Sequence, residues 1–337
     1  MSSPQGLDLE SLKAHAPDLF TGNLSAELIA GGRSNLTYVV HTADRSLVVR
    51  RPPLGHVLAT AHDMAREHRV VTALGPTPIP VPMTYLLCED SGVIGAPFYV
   101  MEHVAGTPFR EATQLAELGA ERTAAIVHRL VDTLAALHDV DVETVGLADF
   151  GRPDGYLERQ VRRWGGQLDA SRSRDVPGID DLRADLSRDI PVSGPPTIVH
   201  GDYRLDNVLV DDDRITAVLD WEMATLGDPL SDLALLVVYS SPALARHAAG
   251  VVSTAPMADG YPPVDELVAR YVHRRAADVS RLDWYVAMAY FKLAVVLEGI
   301  HFRFTQGKTV GAGFDRIGDL VAPLVAAGRT SLGQEGS

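Results

Sequence analysis

The stretch TIVHGDYRLDNVLVDDDRITAVLDWEMATLGDPLSD, residues 197–232, carries the strongest pattern in the chain. Short apolar runs alternate in it with polar groups, which predicts a short strand, a polar loop and then a hairpin. The hairpin strands are expected at residues 208–210 and 215–219, with a turn centred near Asp212 and Asp213. We expect the acidic turn itself to be a solvent-exposed loop tip.

Three oxygen-bearing side chains are expected to converge at the open end of this hairpin. Asp202 lies in the loop that leads in, Asn207 at the entry to the first strand, and Asp220 at the exit of the second. An Asn carbonyl and an Asp carboxylate are hard oxygen ligands that suit Mg2+. A neighbouring carboxylate, Asp202, can accept the proton of an attacking hydroxyl. The sequence shows no zinc-type cluster and no nucleophile elbow, so the pattern favours phosphoryl transfer.

Composition and charge narrow the class of protein. The 337 residues are 46% hydrophobic and 22% charged, an ordinary globular balance, and the formal net charge of −14 disfavours nucleic acid or an anionic membrane as partner. The single cysteine, Cys88, excludes an internal disulfide framework and fits a reducing compartment. No run approaches the roughly 20 apolar residues of a membrane span, and the first residues lack a secretion signal. We therefore expect a soluble cytoplasmic protein.

The first third of the sequence predicts a small sheet with one helix. The expected strands are residues 26–29, 37–41, 46–50, 84–88 and 97–101, and the expected helix is residues 56–74. Glu67 falls on the apolar stripe of that helix, where a carboxylate is costly unless a cation meets it. Arg50 and Arg51 at the end of the third strand could supply that cation. Alternatively, Glu67 reaches solvent.

Beyond residue 108 the pattern becomes helical. Residues 121–138 form an apolar helix that ends in His138, which we interpret as a structural histidine. Residues 151–194 are charged and poorly periodic, which predicts solvated helix and loop. Residues 281–304 are helical and rich in aromatic side chains, and they form either plain core or an acceptor pocket.

The residues 200–207, HGDYRLDN, followed by Leu219-Asp220-Trp221, resemble the HGDxxxxN and xDW signatures of the aminoglycoside phosphotransferase and choline kinase-like family, relatives of the protein kinases. The resemblance covers nearly the whole chain. It implies an α+β, bilobal protein-kinase-like fold, with a five-stranded antiparallel sheet and one helix in the first lobe. The N-terminal nucleotide-binding lobe would span residues 1–104 with a hinge at 101–105, the mainly helical catalytic and acceptor-binding lobe residues 105–330, and a tail residues 331–337.

The resemblance also implies roles for the residues of the second lobe. Asp202 corresponds to the catalytic base, Asn207 and Asp220 to the Mg2+ ligands, and Arg204 to a cation that touches the transferring phosphate. His200, Asp228 and Asp232 correspond to structural supports of the catalytic loop, with Asp232 bracing it through its backbone.

In the first lobe, Glu67 resembles the helix glutamate that orients the nucleotide-binding cation. The family usually has Lys there, and Arg50 stands at the strand end in its place, with Arg51 left open. The hinge would pair the adenine of ATP with the carbonyl of Glu102 and the N–H of Val104.

A flexible connection precedes the second strand and lacks the G-x-G-x-x-G pattern of protein kinases. It is either an ordinary hairpin loop or a phosphate loop. Under the resemblance, the phosphate loop works through Gly31, Gly32, Ser34 and Asn35.

These features predict an ATP- and Mg2+-dependent kinase that phosphorylates a hydroxyl of a small molecule. The sequence also looks like the kinase-like domains fused to acyl-CoA dehydrogenases, which implies a hydroxyacyl-CoA or hydroxy acid as an alternative acceptor. Two other classes stay open: a nucleotide-binding pseudokinase that serves as an interaction module, and a metal-dependent hydrolase that uses His200, Asp202 and Asp220. Protein substrates are disfavoured, because only seven residues separate Asp220 from Asp228 and no A-P-E motif follows.

Overall fold

The computed structural model describes residues 4–29, 35–54, 63–247, 250–307 and 316–333. The chain divides into two compact units, the first made of Met1–Gly106 and Thr216–Ala224, the second of Thr107–Ile215 and Thr225–Ser337. The sequence predicted a boundary at residues 104–105 but gave no sign that a later segment returns to the first unit.

The first unit contains the predicted five-stranded antiparallel sheet. Its strands are β1 Ser25–Leu28, β2 Leu36–His41, β3 Ser46–Arg51, β4 Thr84–Cys88 and β5 Phe98–Glu102, and its helices are α1 Leu9–His15 and α2 Met64–Leu74. The strand order is β1-β2-β3-β5-β4, and every neighbouring pair is antiparallel. The fold class predicted from the sequence is therefore confirmed in this unit, with strand bounds that differ by one residue or less.

Helix α1 was missed by the sequence analysis, which predicted one helix in this part of the chain. Asp8 caps its N-terminus by accepting hydrogen bonds from the backbone N–H groups of Glu10 and Ser11. Leu9 and Leu12 are buried on its inner face. The sequence does contain a signal for this helix. An Asp stands directly before a short run with apolar residues at helical spacing, which commonly marks the start of a helix.

The alternation of side chains along β3 decides which arginine faces which helix. Leu47 and Val49 belong to the core cluster that contains Leu12 of α1, whereas Val48 packs with Met64 of α2. Because successive strand residues point to opposite faces, Arg50 shares the face of α2 and Arg51 the face of α1.

Helix α2 begins at Met64, where Asp63 caps it by accepting a hydrogen bond from the N–H of Arg66. Its buried stripe includes Glu67, Val71 and Leu74, as the spacing predicted. The prediction placed the start of the helix at residue 56, and residues 55–62 lie outside the described residues.

The second unit is mainly helical, as predicted. Its elements are α3 Ala112–Ala116, α4 Ala120–His138, α5 Tyr156–Ser171, α6 Ile179–Arg188, β6 Thr197–Val199, β7 Val208–Asp211, β8 Arg214–Val218, β9 Thr225–Gly227, α7 Leu230–Tyr239, α8 Pro242–His247, α9 Val264–Arg275, α10 Leu282–Thr305 and α11 Val321–Ser331. Strand β8 begins in this unit, and its last residues belong to the first unit. Helix α10 is the centre of the core, because it packs against α5, α6, α7 and α11.

The predicted hairpin is present as β7 and β8. Asp212 and Asp213 join the two strands with φ values of 46° and 60°, the left-handed pair that a tight two-residue hairpin turn requires. Strand β6 pairs with β9, a contact that the sequence analysis did not foresee.

The prediction of solvated helix and loop for residues 151–194 was incomplete. Helices α5 and α6 occupy most of this stretch and bury an apolar side each, including Trp164, Leu168 and Leu182. The many charged residues belong to the outer faces of the two helices. They obscured the helical spacing of the apolar residues when residues 151–194 were considered as one stretch.

Within the described residues, α10 is one helix that is long and apolar enough to cross a membrane by length and composition. The sequence analysis missed it because it counted uninterrupted apolar runs, and Lys292 and Glu298 interrupt this one. Of the most apolar 18-residue window, 61% is buried in the folded chain, as is common for the core helix of a globular unit.

Candidate functional site

The loop that carries Asp202 is fixed by a buried carboxylate beneath it. Asp232, fully buried in the first turn of α7, accepts hydrogen bonds from the backbone N–H groups of His200 at 2.6 Å and Gly201 at 2.8 Å. Gly201 has a φ of +85°, a conformation that a residue with a side chain adopts only with strain. These contacts are the ones that a bracing role for Asp232 requires.

A buried hydrogen-bonded pair, His138 and Tyr271, also supports Asp232. His138 Nε2 lies 3.3 Å from Asp232 Oδ2, and its Nδ1 lies 2.7 Å from the hydroxyl of Tyr271. Burial lowers the pKa of His138, so the neutral ring donates to the carboxylate and accepts from the tyrosine. Burial alone would raise the pKa of Asp232, but the bonds and charges of His138, His200 and Gly201 outweigh it and lower that pKa. His138 is thus a structural histidine, as the sequence suggested.

The Asp202 carboxylate is held by three side chains of the second unit. Its Oδ1 accepts a hydrogen bond from the hydroxyl of Tyr239 at 3.0 Å. Its Oδ2 accepts bonds from Asn207 Nδ2 at 3.0 Å and Arg204 Nε at 3.2 Å. Its side chain is 24% exposed, so the carboxylate is oriented and still reachable. An oriented, accessible carboxylate is the arrangement that a general base needs.

Asn207 lies at the end of a 3-10 helix, Leu205–Asn207, directly before β7. Both described hydrogen bonds of its side chain are donated by Nδ2, to the carbonyl and to the carboxylate of Asp202. The amide orientation that these bonds fix leaves Oδ1 as an oxygen donor for a cation.

Arg204 bridges two carboxylates. Besides Asp202, it contacts Asp206 Oδ2 with Nη1 at 3.0 Å, and its guanidinium lies 5.1 Å from the centroid of the Tyr239 ring. Its side chain is 24% exposed. The role of Arg204 at a transferring phosphate stays a prediction, and such a role would have to share the guanidinium with both acidic groups.

Asp228 and His200 fill supporting positions in the second unit. Asp228 is buried, accepts from the N–H of Leu230 at the start of α7, and accepts from the hydroxyl of Tyr285 at 2.8 Å. His200 is fully buried, and its Nδ1 accepts from the N–H of Asp202 at 3.2 Å. His200 therefore fixes the backbone of the loop at Asp202, and Asp228 fixes the start of α7, the helix that carries Asp232.

The first unit holds a buried ion-pair cluster around Arg50. Arg50 Nε lies 2.8 Å from Glu67 Oε1, and Arg50 Nη2 lies 2.5 Å from Asp220 Oδ1. Burial raises the pKa of Glu67, an effect that Arg50 only partly offsets. Burial acts to lower the pKa of Arg50, but the nearby Glu67, Tyr99 and Asp220 raise it. Of the two arginines, Arg50 is therefore the one that pairs with Glu67, whereas Arg51 donates to the backbone carbonyls of Gly6 and Ile94, and a nucleotide-binding role for Arg50 stays a prediction.

Asp220 has an unusual backbone conformation. Its φ of 65° and ψ of 58° lie in the left-handed region, which is strained for most non-glycine residues and which Asp tolerates better than most. Its side chain is 31% exposed. Asp220 belongs to the first unit, whereas Asp202 and Asn207 belong to the second, so the convergence of the three groups stays a prediction.

The remaining predicted positions in the first unit concern the phosphate loop and the hinge. Gly31, Gly32 and Ser34 lie outside the described residues. Asn35 is buried, and its Nδ2 donates to Glu67 Oε2 at 3.5 Å and to Glu222 Oε2 at 3.2 Å.

At the hinge, Glu102 ends β5 and Val104 follows in irregular backbone. The N–H of Glu102 donates to the carbonyl of Met83, and its side chain accepts from the N–H of Met83. The adenine contacts at Glu102 and Val104 stay predictions.

Comparison with known proteins decides the family. The model of the phosphotransferase enzyme family matches residues 25–277. The chain belongs to this family. Acyl-CoA dehydrogenase family member 11 of Rattus norvegicus is 36% identical over 95% of this chain and 43% of its own length, and member 10 of Mus musculus is 33% identical over 96% of this chain and 31% of its own length. The chain thus spans less than half the length of these curated relatives.

Solved phosphotransferase structures share the fold. A crystal structure from Ralstonia eutropha, described as that of an aminoglycoside phosphotransferase, is 32% identical to this chain and has a TM-score of 0.82. The match covers 98% of this chain and 99% of that one. A thermostable mutant of the aminoglycoside phosphotransferase APH(4)-Ia, in complex with AMP-PNP and hygromycin B, has a TM-score of 0.62 at 17% identity, over 95% and 98%. The second likeness shows the fold alone. The chain therefore has the kinase-like fold that its motifs predicted.

Two residues that contact the loop of Asp202 were missed by the sequence analysis. Tyr239 follows Asp232 by seven residues, two helical turns along the same face of α7, and that spacing was a usable signal. Lys292 is a charged residue within the apolar stretch of α10, where its Nζ donates to the carbonyl of Gly201 at 2.6 Å. A cation in a core helix indicates a specific partner, but sequence alone does not reveal which one.

The aromatic residues of α10 divide between core and cavity. Trp284 and Phe291 are buried core, and Tyr285 lines a small cavity of about 40 Å3 beside Gly201. Glu298 is also buried, and it pairs with Arg174 at 2.9 Å. Trp284 and Phe291 are therefore core residues, as one alternative held, and an acceptor pocket at this helix stays a prediction.

Proposed function

We propose that this phosphotransferase is a small-molecule kinase that moves the γ-phosphoryl group of ATP to a hydroxyl of a small acceptor. The observation that carries the proposal is the Asp202 carboxylate, which three side chains orient on a loop braced by Asp232. A structural aspartate needs no such combination of fixed orientation and partial exposure.

In this proposal Asp202 accepts the proton of the acceptor hydroxyl. The hydroxyl oxygen forms a bond to the γ-phosphorus while the bond from that phosphorus to the bridging oxygen breaks, which releases ADP. Tyr239 and Asn207 keep the carboxylate in place, so little reorganisation is needed when the hydroxyl arrives. Arg204 supplies positive charge next to the base, where negative charge develops on the transferring group.

The donor set fits Mg2+. Asn207 retains a carbonyl oxygen outside its described hydrogen bonds, and Asp220 offers a part-exposed carboxylate. Among the described residues no group of three or more His, Cys, Asp or Glu side chains could hold a metal by itself, which suits an ion that takes its other ligands from water and phosphates. Asn207 and Asp220 would hold the ion, and the ion would neutralise phosphate charge.

Arg50 is the proposed phosphate-binding cation of the first unit. Glu67 is 2% exposed and holds Arg50 in place from α2. An arginine presents a planar fork to phosphate oxygens rather than the point charge of a lysine, so its placement by Glu67 determines how it can bind. Arg50 also contacts Asp220 directly, so a nucleotide and its ion would have to share or displace that contact.

A second acceptor class is favoured by the relatives. The proteins that are 33–36% identical to this chain are named as acyl-CoA dehydrogenase family members, and an acyl-CoA dehydrogenase acts on acyl thioesters. The relatives therefore favour a hydroxyacyl-CoA or a hydroxy acid over an antibiotic as the acceptor.

The deciding experiment is a phosphorylation screen with the purified chain, ATP and Mg2+. The acceptor panel comprises aminoglycosides, macrolides, amino alcohols, hydroxy acids and hydroxyacyl-CoAs. Asp202→Ala serves as the blank, and Asp212→Asn, an exposed change that the left-handed hairpin turn tolerates, as the control. We expect phosphate transfer to one acceptor class in the wild type and the control but not in the blank. Nucleotide binding without transfer to any acceptor would instead identify an interaction module.

A further inference from the structure

Asp206 is a buried carboxylate that the proposed mechanism does not use. Its side chain is 8% exposed, and its Oδ2 contacts Arg204 Nη1 at 3.0 Å, the one ion pair of Asp206 in the described part of the chain. Its Oδ1 is buried without a hydrogen-bond partner among the described residues. Burying a carboxylate with one oxygen unpaired is costly, and an apolar side chain of similar size would avoid that cost.

Arg204 divides its guanidinium between two carboxylates. Its Nε contacts Asp202 Oδ2 at 3.2 Å, while its Nη1 contacts Asp206. Another arginine of the same unit shows the undivided arrangement, because Arg270 contacts both oxygens of Asp132, with Nε and Nη2 each at 2.7 Å. Paired contacts of this kind are common between arginine and a carboxylate, and they are strong. The contact between Arg204 and Asp202 is longer than either of those two.

A paired contact between Arg204 and Asp202 would obstruct the proposed base. The Oδ1 atom of Asp202 accepts one described hydrogen bond, from the Tyr239 hydroxyl at 3.0 Å, and a carboxylate oxygen has two acceptor positions. Oδ2 already accepts from Asn207 and Arg204. Oδ1 is therefore the atom with capacity for the proton of an acceptor hydroxyl, and a guanidinium N–H at Oδ1 would take that place.

We infer that Asp206 is a positioning residue that holds Arg204 back from a paired contact with Asp202, so that Oδ1 of the base stays open to the acceptor hydroxyl. The inference rests on the proposed function and adds to it the atom that accepts the proton. In the transfer step, the proton passes from the hydroxyl to Asp202 Oδ1 as the hydroxyl oxygen bonds to the γ-phosphorus and ADP leaves. Asp206 acts in this step only through Arg204.

The test is a double-mutant cycle between Asp206 and Arg204 in the full chain. Asp206→Leu removes the carboxylate at similar volume, and Arg204→Met removes the guanidinium. Asp206→Asn, which keeps the shape and only a neutral acceptor oxygen, replaces the leucine variant if that variant does not fold. The matched control is Asp185→Leu on α6, because Asp185 is also an aspartate paired with an arginine. Its side chain is 11% exposed and lies 2.7 Å from Arg188.

The kinetic readout is kcat/KM for the acceptor that the phosphorylation screen identifies. We expect Asp206→Leu to lower it about tenfold or more with KM for ATP unchanged, because a further charge-assisted bond on the base must break before the hydroxyl reaches Oδ1. In the Arg204→Met background, the same change should alter kcat/KM by no more than about twofold. Asp185→Leu should have no effect in either background.

A second readout, the crystal structure of each variant, needs no turnover. In Asp206→Leu, Arg204 should contact both carboxylate oxygens of Asp202, whereas in the wild type and in Asp185→Leu its Nε should stay on Oδ2. An Arg204 that does not move in Asp206→Leu would overturn the inference. So would a loss of kcat/KM that is equally large with and without Arg204, because it would mean that Asp206 only supports the local fold.

These outcomes are separable from the fate of the proposed function. If Arg204 moves onto both oxygens of Asp202 in Asp206→Leu but the wild type phosphorylates no acceptor, only the proposed function is contradicted. If the wild type transfers phosphate and Arg204 keeps its position in Asp206→Leu, only the role of Asp206 is contradicted.

Discussion

Replacing Asp232 by Asn should destabilise the second unit strongly. The carboxylate is fully buried and accepts two backbone hydrogen bonds of 2.6 and 2.8 Å, with a third contact from His138 at 3.3 Å. An amide keeps the shape but turns one acceptor oxygen into a donor, which then faces N–H groups. Each charge-assisted bond is worth about 1.5–3 kcal/mol, so we expect a loss of about 3–5 kcal/mol in the free energy of unfolding.

The assay is urea unfolding of the full chain, followed together with hydrogen exchange of a peptide that contains residues 197–204. Exchange at His200 and Gly201 reports the loop itself, even where the two units unfold in separate steps. Asp212→Asn is the matched control, because that side chain is 82% exposed and should change stability by no more than about 0.5 kcal/mol. If Asp232→Asn matched this control in both measurements, the bracing argument would be refuted.

Three further predictions concern other parts of the two units. Tyr239→Phe removes one donor to Asp202, worth about 1 kcal/mol, so kcat should fall about fivefold with KM for ATP unchanged in steady-state kinetics. Glu67→Gln leaves the buried Arg50 without its main counter-charge, and urea unfolding should show a loss of about 3 kcal/mol. Burial lowers the pKa of His138 from 6.5, so the unfolded chain binds that proton more readily. The stability that this ring contributes is present above about pH 6.5 and decreases at lower pH, and thermal melts of His138→Gln should lack that part of the pH dependence.

The parts of the fold that follow local rules could be predicted from the sequence. The β7–β8 hairpin was predicted because acidic residues tolerate the left-handed turn, and apolar strands flank it. The stripe of α2 was predicted because helical spacing is visible within single turns. By contrast, the pairing of β6 with β9 joins residues separated by the whole β7–β8 hairpin and the loops on both sides of it, and no local pattern encodes that partner.

Within the candidate site, the sequence likewise indicated Arg50 and Asp202 but not all of the contacts that hold them in place. The sequence indicated that Glu67 needs a cation and offered Arg50 and Arg51, and strand alternation relative to α2 decided between them. The motif indicated Asp202, but its tyrosine partner comes from α7 and depends on how that helix packs against the loop. Motifs thus identify the reacting groups, whereas the residues that orient them depend on tertiary packing.

The backbone contacts of Gly201 indicate that the residues supporting Asp202 contribute unequally to its position. Its N–H donates to Asp232 and its carbonyl accepts from Lys292, so the peptide groups on both sides of this residue are fixed. With a φ of +85°, the chain at Gly201 has a conformation that few other residues would tolerate. The position of Asp202 is therefore set mainly by backbone contacts, and Tyr239 adjusts only the last rotation of its side chain. Because of this division, loss of the Tyr239 hydroxyl should slow the reaction moderately, whereas loss of the Asp232 charge should disorganise the whole loop.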